Sequence, residues 1–121
     1  MNDQALRDGL AALSAELQDF ARARDWEQFH APENLAMSLA IEAAEVMEHF
    51  QWAAADVAPE LAADKRQAIA LELADVMIYL LRLSTVLDVD LVDAVRGKLA
   101  INEQRYPVSK ARGSAAKYDE L

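Results

Sequence analysis

The hydrophobic positions of this chain recur at helical intervals almost from end to end. Leu6, Leu10, Leu13, Leu17 and Phe20 follow alternating steps of four and three. That is the stripe of an amphipathic helix, predicted from Asp3 to about Arg24. The mixed stretch RDWEQFHAP, Arg24 to Pro32, reads as a loop. Its proline suits the first turn of a new helix, where the missing N–H costs nothing, and that helix is expected to run to about Phe50. QWAAADVAPE reads as a loop or weak helix with Pro59 near the next helix start, and a third helix is expected from about Glu60 to Leu87. The DVD segment, Asp88 to Asp90, breaks it, and Asp90 is placed to cap a fourth helix from Leu91 to about Arg105. Pro107 ends that helix. The tail VSKARGSAAKYDEL is polar and rich in small residues, so it is expected to be extended or partly mobile. No segment alternates with the two-residue period of a strand. The expectation is one all-α domain over residues 1–121, a four-helix-bundle-like protomer with no sheet, ending in a polar tail at 106–121.

The polar residues inside the apolar helices change this picture. Projected at about 100° per residue, Ser38, Glu42, Glu45 and His49 fall on one narrow stripe. Leu39 and Val46 flank it on one side, Met37 and Ile41 on the other. On the third helix Glu72, Asp75 and Tyr79 form a similar line, with Val76 and Leu83 beside it and Leu71 and Ile78 on the far flank. A helix that is apolar nearly all round is a central one, so both acid pairs are expected to point inward, toward each other's helix. Carboxylates gathered in a poorly hydrated space repel strongly and resist ionisation. A hard divalent cation offsets that repulsion, because it takes carboxylate oxygens and leaves positions for waters and phosphates. The competing reading is a set of salt bridges to another helix, with Lys98 and Arg105 as the partners.

Composition narrows the function. The net charge of −9 repels a nucleic-acid backbone, so no nucleic-acid polymer is expected as partner. A single nucleotide, its charge met by Mg2+, stays compatible. There is no cysteine, hence no disulfide framework and no zinc–thiolate site. The opening MNDQALRDGL lacks a basic-then-apolar signal pattern, and no apolar run reaches the ~20 residues of a membrane span. The expectation is a cytoplasmic protein with no membrane partner.

At this point the residues resemble a known family. EAAE followed by ELAD is similar to the paired E-x-x-E and E-x-x-D motifs of the all-α nucleoside triphosphate pyrophosphatases, the MazG-like superfamily. RDWEQFHAPENL, EHFQW, ELADVMIYLL, KLAINEQRYP and GSAAKYDEL resemble its dCTP pyrophosphatase branch in style and order, from about Leu17 to Leu121. The resemblance implies hydrolysis of a nucleoside triphosphate to its monophosphate and pyrophosphate. It implies Mg2+, with Mn2+ as a substitute, held by Glu42, Glu45, Glu72 and Asp75. It implies a base pocket that includes Trp26, His30, Trp52 and Tyr79, and a homo-oligomer, tetramer or dimer, with sites built at subunit contacts. Two positions depart from the family pattern. Ala44 stands where relatives often carry glycine, and His49 stands where an aliphatic residue is expected. His49 is either a supporting group behind the ligands or a tolerated polar residue.

Roles follow from these placements. A carboxylate not fully used in ligation can take the proton of the attacking water, and Glu45, central on its stripe, is the candidate base. Glu48 lies about 60° off that stripe and reads as a flank residue. Lys98, Asn102 and Arg105 share a face of the fourth helix at i, i+4, i+7, suited to phosphate or to intersubunit contact. Arg112, Ser114 and Lys117 in the tail could close over the phosphates as a lid. Trp26 and Trp52 flank the second helix and can stack on a base, and Tyr79 can pack under the sugar. The alternatives are the same chemistry with dUTP or a broad set of nucleotides, and a non-catalytic helical oligomerisation module.

Overall fold

A computed structural model describes residues 2–52 and 63–121. Among these the chain is all helical and carries no strand. Helix α1 spans Asp3–Ala23, α2 Pro32–Glu48, α3 Ala63–Val86 and α4 Leu91–Arg105, and a one-turn α5 covers Val108–Ala111. The expected helix start at Glu60, with Pro59 before it, lies outside the described residues. No helix among the described residues is long and apolar enough to cross a membrane.

The termini of the helices are written locally. The Asn2 side chain accepts from the Ala5 N–H at 2.8 Å and starts α1. Two helices then end in the same way. After α1 the Trp26 N–H reaches Ala21 O at 2.9 Å and the Asp25 N–H reaches Arg22 O at 3.0 Å. After α3 the Val89 N–H reaches Ser84 O at 2.8 Å and the Asp88 N–H reaches Thr85 O at 3.2 Å. Each is a Schellman closure, and each puts an aspartate, not a glycine, in the left-handed region, Asp25 at φ 54 and Asp88 at φ 55. Aspartate is among the few L-residues that tolerate this conformation. Asp90 then caps α4 by accepting from the Asp93 N–H at 3.0 Å, so DVD is a stop followed directly by a start. Pro32 occupies the first turn of α2, as its position in the sequence suggests.

Helix α2 packs along α3, and α1 packs on α3 and α4. Two contacts fix the α2–α3 pair as antiparallel. His49, just after α2, meets Glu72 in the first half of α3, and His30, just before α2, meets Arg82 near the end of α3. Among the described residues the buried apolar side chains are Ala21, Leu35, Ile69, Leu81 and Val92, drawn from α1, α2, α3 and α4. Ion pairs join the outer helices: Arg7 to Asp90 and Asp93, and Arg96 to Asp3. Many large apolar residues of the central helices stay uncovered, among them Met37, Ile41 and Met47 on α2 and Leu71, Leu73 and Met77 on α3.

The tail departs from the extended segment expected for it. It folds back on the end of α4, where the Tyr106 and Tyr118 rings meet edge to face at 6.2 Å. The Arg105 guanidinium lies 4.5 Å over the Tyr118 ring. Aromatic and cation–π contacts hold a segment whose small polar residues alone would not.

The turn after α3 makes a direct prediction. Asp88→Gly removes the left-handed penalty and should stabilise the chain by roughly 0.5–1 kcal/mol, whereas Asp90→Ala, which strips the cap and one partner of Arg7, should lower the melting temperature by several degrees. Paired thermal melts check both signs.

Candidate active site

The antiparallel α2–α3 pair brings its two acid stripes face to face. One oxygen each of Glu42, Glu45 and Glu72 lies within 4.8 Å of the others, and all three side chains are half buried. Asp75 stands on the same line of α3, half buried, and its charge bears on Glu42. Its oxygens do not join the three-carboxylate group. Glu42 Oε2 is buried and has no hydrogen-bond partner among the described residues. The basic side chain that meets the cluster is His49, whose Nε2 stands 3.7 Å from Glu72 Oε1. His49 is thus seated against a cluster member.

The electrostatic consequence is strong. Burial, followed by the shared hydrogen bond with Glu45 and the charges of Glu45, Asp75 and Glu72, pushes the Glu42 carboxyl up to about 7. The Glu72 carboxyl is also raised, first by its hydrogen bond with Glu45 and next by burial, with His49 acting in the opposite direction. A bound cation would relieve both the burial and the like-charge repulsion that raise these carboxyls. Three oxygen donors, an orphaned carboxylate oxygen and mutual repulsion fit a hard divalent ion. Lys98 and Arg105, the salt-bridge partners weighed from sequence, are both exposed on α4, and Arg105 is engaged with Tyr118.

The other candidates are distributed around this centre. Tyr79 is half buried one turn beyond Asp75 on the acid line of α3. Trp26 stands edge-on to Phe20 at 5.8 Å, placed there by the Schellman turn. His30 accepts from Arg82 Nε at 3.3 Å. Trp52 is 94% exposed and sits in left-handed backbone at φ 68. Asn102 is half buried, while Lys98 and Lys117 are exposed. Helix α4 packs on α1, so the face carrying Lys98, Asn102 and Arg105 is not gathered with the carboxylates by the contacts of one chain. Two neighbours of these residues escaped the sequence reading. Phe20 counted only as a stripe residue, and Arg82 was not singled out as a candidate, though a charge inside YLLRLS was the available signal. A separate hollow of about 440 Å³ between α1 and the end of α3, lined by Leu10, Ser14, Ser84 and Val92 among others, contains none of the acids.

The sequence model of the MazG-like family matches residues 37–121, which take in both acid stripes. The chain belongs to the MazG-like family. It is 49% identical over 105 residues to the dCTP pyrophosphatase 1 of Rattus norvegicus, an overlap of 85% of this chain and 62% of that protein. A dATP/dGTP diphosphohydrolase of Cyanophage S-2L is 52% identical over 46 residues, 38% of this chain and 44% of the phage protein. Among solved structures, a pyrophosphatase from Archaeoglobus fulgidus superposes with a TM-score of 0.77 at 38% identity, covering 82% of this chain and 93% of that one. The MazG-like chain described here spans about 62% of the length of the curated relatives it matches.

The raised Glu42 carboxyl would make any cation binding at this cluster pH-dependent. Its folded value of about 7 lies above the ordinary 4.5, so the metal-free fold loses stability as pH rises from about 4.5 toward about 7 and the proton is shed. A cation must displace that proton. Calorimetric Mg2+ titrations in buffers of different ionisation enthalpy should show proton release at pH 6, none at pH 8.5, and tighter binding at the higher pH.

Proposed function

We propose that this MazG-like chain is a magnesium-dependent nucleoside triphosphate pyrophosphatase that hydrolyses dCTP-like deoxynucleotides, 5-modified dCTP included, to the monophosphate and pyrophosphate. It acts in cytoplasmic nucleotide-pool cleaning. The observation that carries this reading is the group of Glu42, Glu45 and Glu72, with its orphaned oxygen and its displaced proton equilibrium. The names of the relatives support the choice of bond and base. Glu42, Glu45 and Glu72, joined by Asp75, would hold Mg2+, with Mn2+ as a substitute. When bound, such a cation supplies charge neutralisation for the phosphates and Lewis acidity at the water.

The residues divide the remaining work. Glu45 is grouped with both Glu42 and Glu72, and its carboxylate takes the proton as water attacks the α-phosphorus and pyrophosphate leaves. His49, against Glu72, holds that carboxylate in place. Trp26 and Trp52 offer their faces to the base, His30 its ring nitrogen, and Tyr79 packs under the sugar. Lys98, Asn102, Arg105 and Lys117 meet the departing phosphates from a second copy of the chain. The open apolar faces of α2 and α3, together with the fully exposed Trp52, support a homotetramer or dimer whose contacts complete the site.

Incubation with dCTP and Mg2+ should yield dCMP and pyrophosphate; inorganic phosphate, or no product across the four deoxynucleotides and dUTP, would overturn the reading. In the same assay Glu72→Ala should abolish turnover while its metal-free melting temperature is unchanged or higher, because one of several mutually repelling charges is gone. Trp52→Ala should raise KM more than it lowers kcat. Sedimentation velocity at micromolar concentration should give a multiple of the chain's 13.4 kDa, and a monomer would contradict the shared site.

A further inference from the structure

Arg82 is out of place by composition. It is 4% exposed, on the part of α3 that faces the segment leading into α2, and Leu81 beside it in the chain is buried as well. No carboxylate pairs with it among the described residues, and its Nη1 has no hydrogen-bond partner there. An alkyl side chain of similar volume would pack at this point without the desolvation cost of a guanidinium. The contact that the arginine does make is to a ring: Nε donates to His30 Nδ1 at 3.3 Å.

That hydrogen bond has a single chemical reading. A guanidinium is always charged and has donors only, so His30 Nδ1 must carry a lone pair. The one proton of the neutral imidazole is then on Nε2. A charged imidazolium would set two donors face to face. Burial and the Arg82 charge both hold His30 below the ordinary imidazole range. Glu27, whose charge acts the other way, is engaged by Arg22 at 2.7 Å. The backbone that carries the ring is also held. The His30 N–H reaches Glu27 O at 3.1 Å, and the Asn34 side chain donates to Phe29 O at 3.1 Å.

The location gives this device a use. Arg82 lies three residues beyond Tyr79 and ten beyond Glu72, about 15 Å along the helix from the α3 member of the carboxylate group at 1.5 Å per residue. Trp26 is four residues before His30 on the same connection. With the phosphates at the carboxylates, this is the end of the site where the base lies. We infer that Arg82 is a positioning residue that determines base choice: it locks His30 as the Nε2–H tautomer, so the pocket offers the base one donor and no acceptor there. Cytosine presents an acceptor at N3. Uracil and thymine present N3–H, which would leave two donors opposed and a buried polar group unpaired. This inference rests on the pyrophosphatase reading for its substrate, while the tautomer stands on the geometry alone.

The test joins a spectroscopic and a kinetic readout on the full chain, using Arg82→Met, which keeps the volume, and Arg82→Lys, which keeps the charge without the Nε–H. The chain has two histidines, so long-range 1H–15N spectra assign His30 by its loss in His30→Asn. His30 in the unmodified protein should be protonated on Nε2 alone and stay neutral from about pH 6 to 8, and Arg82→Met should give a mixture of tautomers. The ratio of kcat/KM for dCTP over dUTP should fall about tenfold or more in Arg82→Met, with the loss on dCTP in KM, and Arg82→Lys should fall between. His30 found protonated on Nδ1, or a folded variant whose ratio is unchanged, overturns the inference. If Arg82→Met does not fold, the unmodified protein's spectrum and Arg82→Lys decide. Failure of the unmodified chain to hydrolyse either nucleotide refutes the pyrophosphatase reading instead, whereas a working enzyme whose base ratio ignores Arg82 refutes this one.

Discussion

Repulsion among carboxylates across the α2–α3 seam is the constraint on which this structure turns. Three acid oxygens within 4.8 Å of each other are not a packing solution that apolar helices would reach unaided. The fold sets them there through an antiparallel pair whose ends are tied by His49–Glu72 and His30–Arg82. Burial and this repulsion push the Glu42 carboxyl up to about 7. The rest of the chain holds the seam in register: α1 and α4 brace α3 from outside, through the Arg7 and Arg96 ion pairs and the small core around Leu81 and Val92.

Much of this was legible in the sequence, for identifiable reasons. Helix periodicity located the α1, α2 and α4 boundaries to within about two residues, because Asn2, Pro32 and Asp90 are strong local signals. The acid stripes were legible because a polar line within an apolar helix has few structural explanations. What the sequence could not give was depth. Glu42, Glu45, Glu72 and Asp75 look equivalent in projection, yet only the first three converge, because convergence depends on the rotation of α3 against α2. The tail misled for a related reason. Its composition is that of a loose segment, and the anchor, Tyr106 with Tyr118 and Arg105, is a long-range contact that no local pattern announces.

Arg82 shows the limit most plainly. In sequence it is one charge in an apolar run, and no local pattern gives it a partner or a depth. In three dimensions it is buried against His30, and its effect is exerted through that ring. Membership of the MazG-like family fixes the scaffold and the acid motifs. Choice of base rests on such details of hydrogen-bond direction, and the relatives, named for dCTP in one case and for dATP and dGTP in another, are consistent with a scaffold whose chemistry stays constant while its base reading varies.

The central claim is that the seam between α2 and α3 is a cation site. A crystal structure of the chain grown with Mn2+, measured for anomalous scattering, addresses it most directly. The account predicts an anomalous peak coordinated by Glu42, Glu45 and Glu72, with Asp75 drawn in beside it. A map with no peak at the seam, or with the three side chains turned out to bulk water or paired with lysine or arginine, would contradict it.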